Sequence, residues 1–266
     1  APIRFVVPEG SILAAGAPKP VAGYTETILR VIDTVFRAFG KAAPDRATAG
    51  PFATINALSI SGWREAASRW VMFCFFGGGL GGNPETDGLN HGNNPISTAT
   101  IPPLEILEAA YPVRFTQWAL RPDSGGPGQH RGGLGAIYEI AVDDPGGAEA
   151  FLLGERGRFP PFGVNGGGDA APNRFGHETG SGWESPPMTS KVFGVRLAAG
   201  ARVRLETPGG GGWGAARARD PARVARDVRL GYVTAEAAAR DYLVAVGADG
   251  AVDAAVTASL RQGHTA

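Results

Sequence analysis

The 266-residue chain has one cysteine, two methionines and three lysines, and each scarcity excludes something. With Cys74 alone no intrachain disulfide can form, and its place in the apolar run at 69–76 marks it as a small buried hydrophobe rather than a nucleophile. None of Lys19, Lys41 and Lys191 ends a glycine-rich loop, so a Walker-type phosphate loop is excluded. The four histidines, His91, His130, His177 and His264, show no H-x-x-x-H spacing, and neither C-x-x-C nor G-x-S-x-G is present. The histidines therefore read as hydrogen-bonded loop residues, and no catalytic triad can be assembled.

An excess of either charge is missing too. Twenty-five basic against 25 acidic side chains leave no long-range field for nucleic acid or an anionic membrane, so neither is an expected partner. No apolar stretch reaches the roughly 18–20 residues that span a bilayer, and the first ten residues lack a signal-peptide pattern. The expected location is the cytoplasm. What the chain has in quantity is glycine, 41 residues, and proline, 21, on a background that is 43% hydrophobic. That composition predicts an ordered scaffold with many turns, organised as one large or two small domains.

The patterning predicts a mixed α+β fold with an antiparallel-rich β core, peripheral helices and a helical C-terminal segment, because strands come in adjacent pairs rather than in β-α-β alternation. A strand is expected at 3–8. Residues 25–39 should be a helix with a greasy face of Ile28, Leu29, Ile32, Val35, Phe36 and Phe39, stopped by Gly40. Two strands follow around residues 53–61 and 69–76, then a long glycine- and asparagine-rich loop over 77–103, a short helix at 103–110, and strands near 112–121, 136–142 and 149–157. Residues 159–187 read as irregular loop, and 192–207 as a hairpin turning at Gly200. Asp220 with Pro221, Thr234 and Asp253 are expected to open three helices. We place a β-rich unit at 1–215 and the helical segment at 216–266.

Two stretches match G-x-G-x-x-G, at Gly77, Gly79 and Gly82 and at Gly209, Gly211 and Gly214. Neither runs straight into a helix N-terminus, as a pyrophosphate site requires, so dinucleotide binding is not expected. Arg131, between glycines that allow close backbone approach, suits a carboxylate or phosphate ligand equally with a turn-stabilising ion pair. Glu105 and Glu108 sit at the start of a short helix, where a carboxylate gains from the dipole. The arginines at 217, 219, 223, 226 and 229 read as a solvated helix face.

Four segments in order, DGLNHGNNPISTATIPPLEILEAAYPVRF, RPDSGGPGQHRGGLG, GERGRFPPFGVNGG, and ETPGGGGWG followed by DPARVARDVRLGYVTAEAA, together resemble the hydantoinase B/oxoprolinase family. The resemblance is to the C-terminal half of a B-type member. It implies that the N-terminal half of the B subunit carries the divalent-metal ligands, and that ATP is held by a separate, ATP-binding A subunit. This chain would bind no cofactor alone, and would meet a small-molecule substrate in a cavity shared with those partners. By the same resemblance Asn94, Thr98, Glu105, Ser124, Gly125, Gly126, His130 and Arg131 are the candidate substrate-binding or cavity-lining residues, with Pro102, Pro103, Gly132 and Gly133 in the same motifs. The implied activity is ATP-dependent opening of a cyclic amide such as a hydantoin or 5-oxoproline. Alternatives are ATP-dependent carboxylation of a ketone and a non-catalytic scaffold role.

Overall fold

A computed structural model describes residues 4–21, 23–64, 68–94, 96 and 101–262. Among the described residues, two antiparallel sheets and five α-helices make a mixed α+β fold. The first sheet comprises β1 (Ala57–Arg64), β2 (Ser68–Cys74), β5 (Ala148–Leu153) and β8 (Lys191–Leu197), in the spatial order β2-β1-β5-β8. The second comprises β3 (Val113–Leu120), β4 (Ala136–Val142), β6 (Arg174–Thr179), β7 (Gly182–Glu184) and β9 (Arg202–Glu206), in the order β3-β4-β9-β6-β7.

The period-2 alternation of strands decides which side chains enter the core. Trp70, Met72 and Cys74 of β2, with Leu58 and Ile60 of β1, point inward and meet Tyr138 and Ile140 of β4, Phe175 of β6, and Val203 and Leu205 of β9. Each large side chain removed from water here contributes roughly 1.5–3 kcal/mol. Cys74 is buried and unpaired, and burial pushes its thiol pKa up.

Three expectations change. Residues 4–8 form no strand, and 159–187 contain β6 and β7. The stretch at 192–207 is not a hairpin: the turn at Gly200, with φ 79°, carries the chain from β8 in one sheet to β9 in the other. Alternation reports which face of a strand is buried but not which neighbour it pairs with, so two strands around a tight turn read as a hairpin.

The helices begin where their caps demand. Asp220 accepts a hydrogen bond from the Ala222 N–H and Pro221 takes the first position of α3 (Pro221–Arg229); Thr234 accepts from the Ala237 N–H at the start of α4 (Ala235–Tyr242). These two helices gather around Val224, Ala238, Tyr242 and Val244, and α5 (Ala254–Gln262) is tied to the segment that follows them by the Thr257 hydroxyl, which accepts from the Ala245 N–H at 3.0 Å. The short α2 (Leu104–Ala110) seats Leu107 in the main core. Helix α1 (Tyr24–Ala42) departs from its expected orientation: of the six apolar residues only Leu29 is fully buried, whereas Glu26 and Asp33 lie inward and Ile28, Val35 and Phe39 are exposed.

Candidate functional site

The glycine-rich stretches, read from sequence as loops, are packed backbone against backbone. Residues 208–212 run extended and bond to neighbours on several sides: Pro208 O accepts from Gly79, Gly210 O from Gly126, Gly211 O from Gly82 and Gly212 O from Val164. In the other direction, the N–H groups of Gly210, Gly211 and Gly212 donate to the carbonyls of Gly133, Gly50 and Gly168. A Cβ on Gly132 would fall 1.7 Å from Gly210 O, and one on Gly79 would fall 1.9 Å from Gly133 O. Backbones this close admit only glycine, so the bundle is a rigid core whose polar groups satisfy one another. Both G-x-G-x-x-G stretches lie within it.

This bundle holds most of the sequence candidates. Gly125 and Gly126 pack against Gly132 and Gly168. The Ser124 hydroxyl donates to Arg121 O at 2.6 Å and accepts from the Gly135 N–H at 2.9 Å. Arg131 donates to Asn90 Oδ1 at 3.0 Å, lies 3.4 Å from Asp227 and stacks over Tyr232. His130 is paired backbone to backbone with Trp213, and burial lowers its pKa. Arg219, expected on a solvated helix face, is instead buried, with its guanidinium held by both Asp87 oxygens at 2.7 and 2.8 Å and by Asp227 at 2.7 Å. Periodicity could not show this, because Arg219 precedes α3 and its partner Asp87 lies far back in the chain. Glu105 is exposed in the first turn of α2, apart from the bundle residues, and Thr98 lies outside the described residues.

The remaining candidate, Asn94, belongs to a different assembly, a buried polar cluster beneath α1. Glu26 Oε1 accepts from Thr54 Oγ1 at 3.0 Å and from the Ile55 N–H at 2.8 Å. Asn94 Nδ2 donates to Thr54 O at 2.6 Å, and Asn173 Nδ2 donates to Asn56 Oδ1 at 2.6 Å. Arg156 pairs with Asp33 at 2.6 Å and donates to the Pro51 and Phe52 carbonyls. Among the described residues, Glu26 Oε2, Asn94 Oδ1, Asn56 Nδ2 and Asn173 Oδ1 are buried without hydrogen-bond partners. Ala53, Asn56 and Arg156 all have positive φ, at 44°, 42° and 69°. Strained backbone and orphaned polar atoms concentrated in one place are features of functional sites.

Burial raises the Glu26 pKa against the opposing effect of its two hydrogen bonds, favouring the neutral acid. Burial, then the neighbouring Arg30, brings Arg156 down to about 10. The cluster backs a groove of about 660 Å³, lined by Thr25, Ile55 and Asn93 next to it in the chain and by Phe73, Phe75 and Phe193 across from it. It offers hydrogen-bond donors and acceptors and a carboxyl group. Among the described residues no group of three or more His, Cys, Asp or Glu is placed to hold a metal ion, and no helix is long and apolar enough to cross a membrane. Sequence reading missed Glu26, which sits inside an apolar-looking helix, and Thr54 and Arg156, which carry no spacing signal; Arg156 does fall in the GERGRFPPFGVNGG segment.

The hydantoinase B/oxoprolinase family model matches residues 1–216. The chain belongs to this family. An uncharacterised protein of Methanocaldococcus jannaschii is 31% identical over 92% of this chain and 42% of its own length. The B-type subunit of a putative D-/L-hydantoinase from a Pseudomonas strain is 26% identical over 98% of this chain and 43% of its own. The ATP-dependent caprolactamase of Pseudomonas jessenii superposes with a TM-score of 0.83 at 27% identity, covering 97% of this chain and 46% of that one. Acetone carboxylase shares the fold, with a TM-score of 0.67 at 24% identity over 89% of this chain and 36% of its own. The chain thus spans less than half the length of these relatives.

Proposed function

We propose that this chain is part of the B-type subunit of an ATP-dependent hydrolase that opens a cyclic amide, and that the N-terminal half of that subunit and an ATP-binding A subunit complete its active site. The observation that carries this reading is the likeness to the ATP-dependent caprolactamase, which extends over 97% of the chain. Ketone carboxylation draws support only from a shared fold.

Amide resonance makes a lactam or hydantoin carbonyl a poor electrophile. Transfer of the ATP γ-phosphoryl group to the carbonyl oxygen breaks the bond to ADP and leaves a carbon that one water can attack; the ring C–N bond then breaks to give an amine and an acyl phosphate, which a second water hydrolyses to a carboxylate and inorganic phosphate. In this reading the metal and the nucleotide belong to partner chains. Here the glycine bundle supplies rigidity and the Glu26–Thr54–Asn94 cluster supplies a polar wall. Among the described residues, Asn94 and Glu105 are the side chains of the resemblance set that lie outside the bundle.

Reconstitution tests it. Mixed with the N-terminal half and the A subunit, this chain should support ADP release that depends on a hydantoin or lactam. Incorporation of labelled bicarbonate into a stable acid, with no ring opening, would assign carboxylation and overturn the amidase reading.

A further inference from the structure

Helix α1 has apolar residues on two faces. Its inward face carries Leu29 with Glu26, Arg30 and Asp33, and Phe36 packs against the cluster of Phe162 and Trp213, while Ile28, Val31, Val35 and Phe39, spaced at three and four residues, form a second apolar stripe open to solvent. Ile28 also lines the groove on the outer face of the first sheet, where Phe73 and Phe193 stand 56% and 73% exposed and Phe73 meets Phe75 edge to face at 5.1 Å. Stripe and groove therefore form one continuous apolar surface, of the kind that marks an interface in soluble proteins. Aromatic residues at its centre and few charges match the anatomy of a buried interface.

We infer that this surface is where the N-terminal half of the B subunit docks, with α1 as the seam between the halves. The inference rests on the composite-enzyme reading above. Its occupant follows from length: relatives matched over nearly all of this chain extend to more than twice its span, so a segment at least as large must find a place against it. The polar cluster lies directly behind the groove, through Thr25, Ile55 and Asn93, so the same docking would close off the site from water.

The test is a binding titration of this chain with the N-terminal half encoded in the same genome, alongside hydrogen exchange. Binding should slow exchange at 28–39 and 71–75. Phe73→Glu and Phe193→Glu should each weaken binding roughly 30-fold or more, as burying a charge in an interface centre does. Met188→Glu, exposed elsewhere, should bind like the wild type. Because all three side chains are exposed in the isolated chain, each variant should keep the wild-type melting temperature, which separates lost docking from lost folding. Full-strength binding by both phenylalanine variants would overturn this surface while leaving the composite enzyme standing if ADP release persists. A homodimer of this chain that already protects 28–39 and 71–75 would overturn it as well. No binding together with no ADP release would sink both readings.

Discussion

The Thr54 hydroxyl donates to Glu26 Oε1 at 3.0 Å, tying the inward face of α1 to the segment that enters β1, and the second Glu26 oxygen finds no partner among the described residues. Burial raises the pKa of this carboxyl group against the opposing effect of its hydrogen bonds. Its folded pKa stands above its unfolded value, so the fold binds the proton more tightly, and stability falls as pH rises from the ordinary carboxylate range through the folded value. Thermal melts from pH 4 upward should show this fall, and Glu26→Gln, which keeps the acceptor and cannot ionise, should flatten it. Glu26→Ala leaves the Thr54 hydroxyl and the Ile55 N–H without their acceptor and should cost about 1–3 kcal/mol in denaturant unfolding.

The glycine bundle makes a sharper prediction. A Cβ at Gly210 would lie 2.0 Å from Leu80 O, and backbone cannot yield as a flexible side chain does. Gly210→Ala should therefore destabilise by about 3 kcal/mol or more, or prevent folding. Gly180→Ala meets nothing within 4 Å and should leave stability within about 0.5 kcal/mol.

At the seam between the bundle and the C-terminal helices, Asp227 is the shared partner of Arg219 and Arg131. Asp227→Ala strips a charge from two buried guanidinium groups and should cost about 3–5 kcal/mol. Hydrogen exchange should show α3 and α4 opening before the sheets. Asp87 has the opposite pH signature from Glu26: burial pushes its pKa up, but the Arg219 hydrogen bonds together with the charges of Arg219, Arg131 and Arg223 outweigh this and hold it below the usual range. Its contribution is present above the unfolded pKa and is lost as pH falls through the folded one, so Asp87→Asn should weaken the acid limb of the stability profile.

Arg131 and Glu105 separate structural from functional roles. Arg131→Ala removes bonds to Asn90 and Asp227 and the stacking on Tyr232, and should lower the melting temperature of the chain. Glu105→Ala, at an exposed position, should change stability by less than about 0.5 kcal/mol, so a loss of turnover in the assembled complex would report a role at the shared cavity. Unchanged turnover would favour a scaffold role for that residue.

Local signals in the sequence carried far. The caps Asp220 and Thr234, the strands β2 and β4, and the placing of β1 and β2 in one sheet all follow from near neighbours, and all are found. What failed was what depends on distant partners. Glycine clusters signal turns when neighbouring chain is unknown, yet here they permit separated segments to interlock. The α1 periodicity marks the apolar residues correctly but not how they divide: Leu29 and Phe36 turn inward, Ile28, Val35 and Phe39 outward, because the buried face is also held by the Asp33 ion pair to Arg156 and the Glu26 hydrogen bond to Thr54. Motif resemblance located Asn94, Ser124 and Arg131; it did not reveal that Asn94 sits in a strained polar cluster and the other two inside a packed bundle.

The most direct test of the composite enzyme is the ADP released by three preparations given the same lactam: this chain alone, this chain with the N-terminal half, and both with the A subunit. Release and ring-opened product are expected from the third alone. Turnover by the isolated chain, or none from the complete assembly with any hydantoin or lactam, would contradict it.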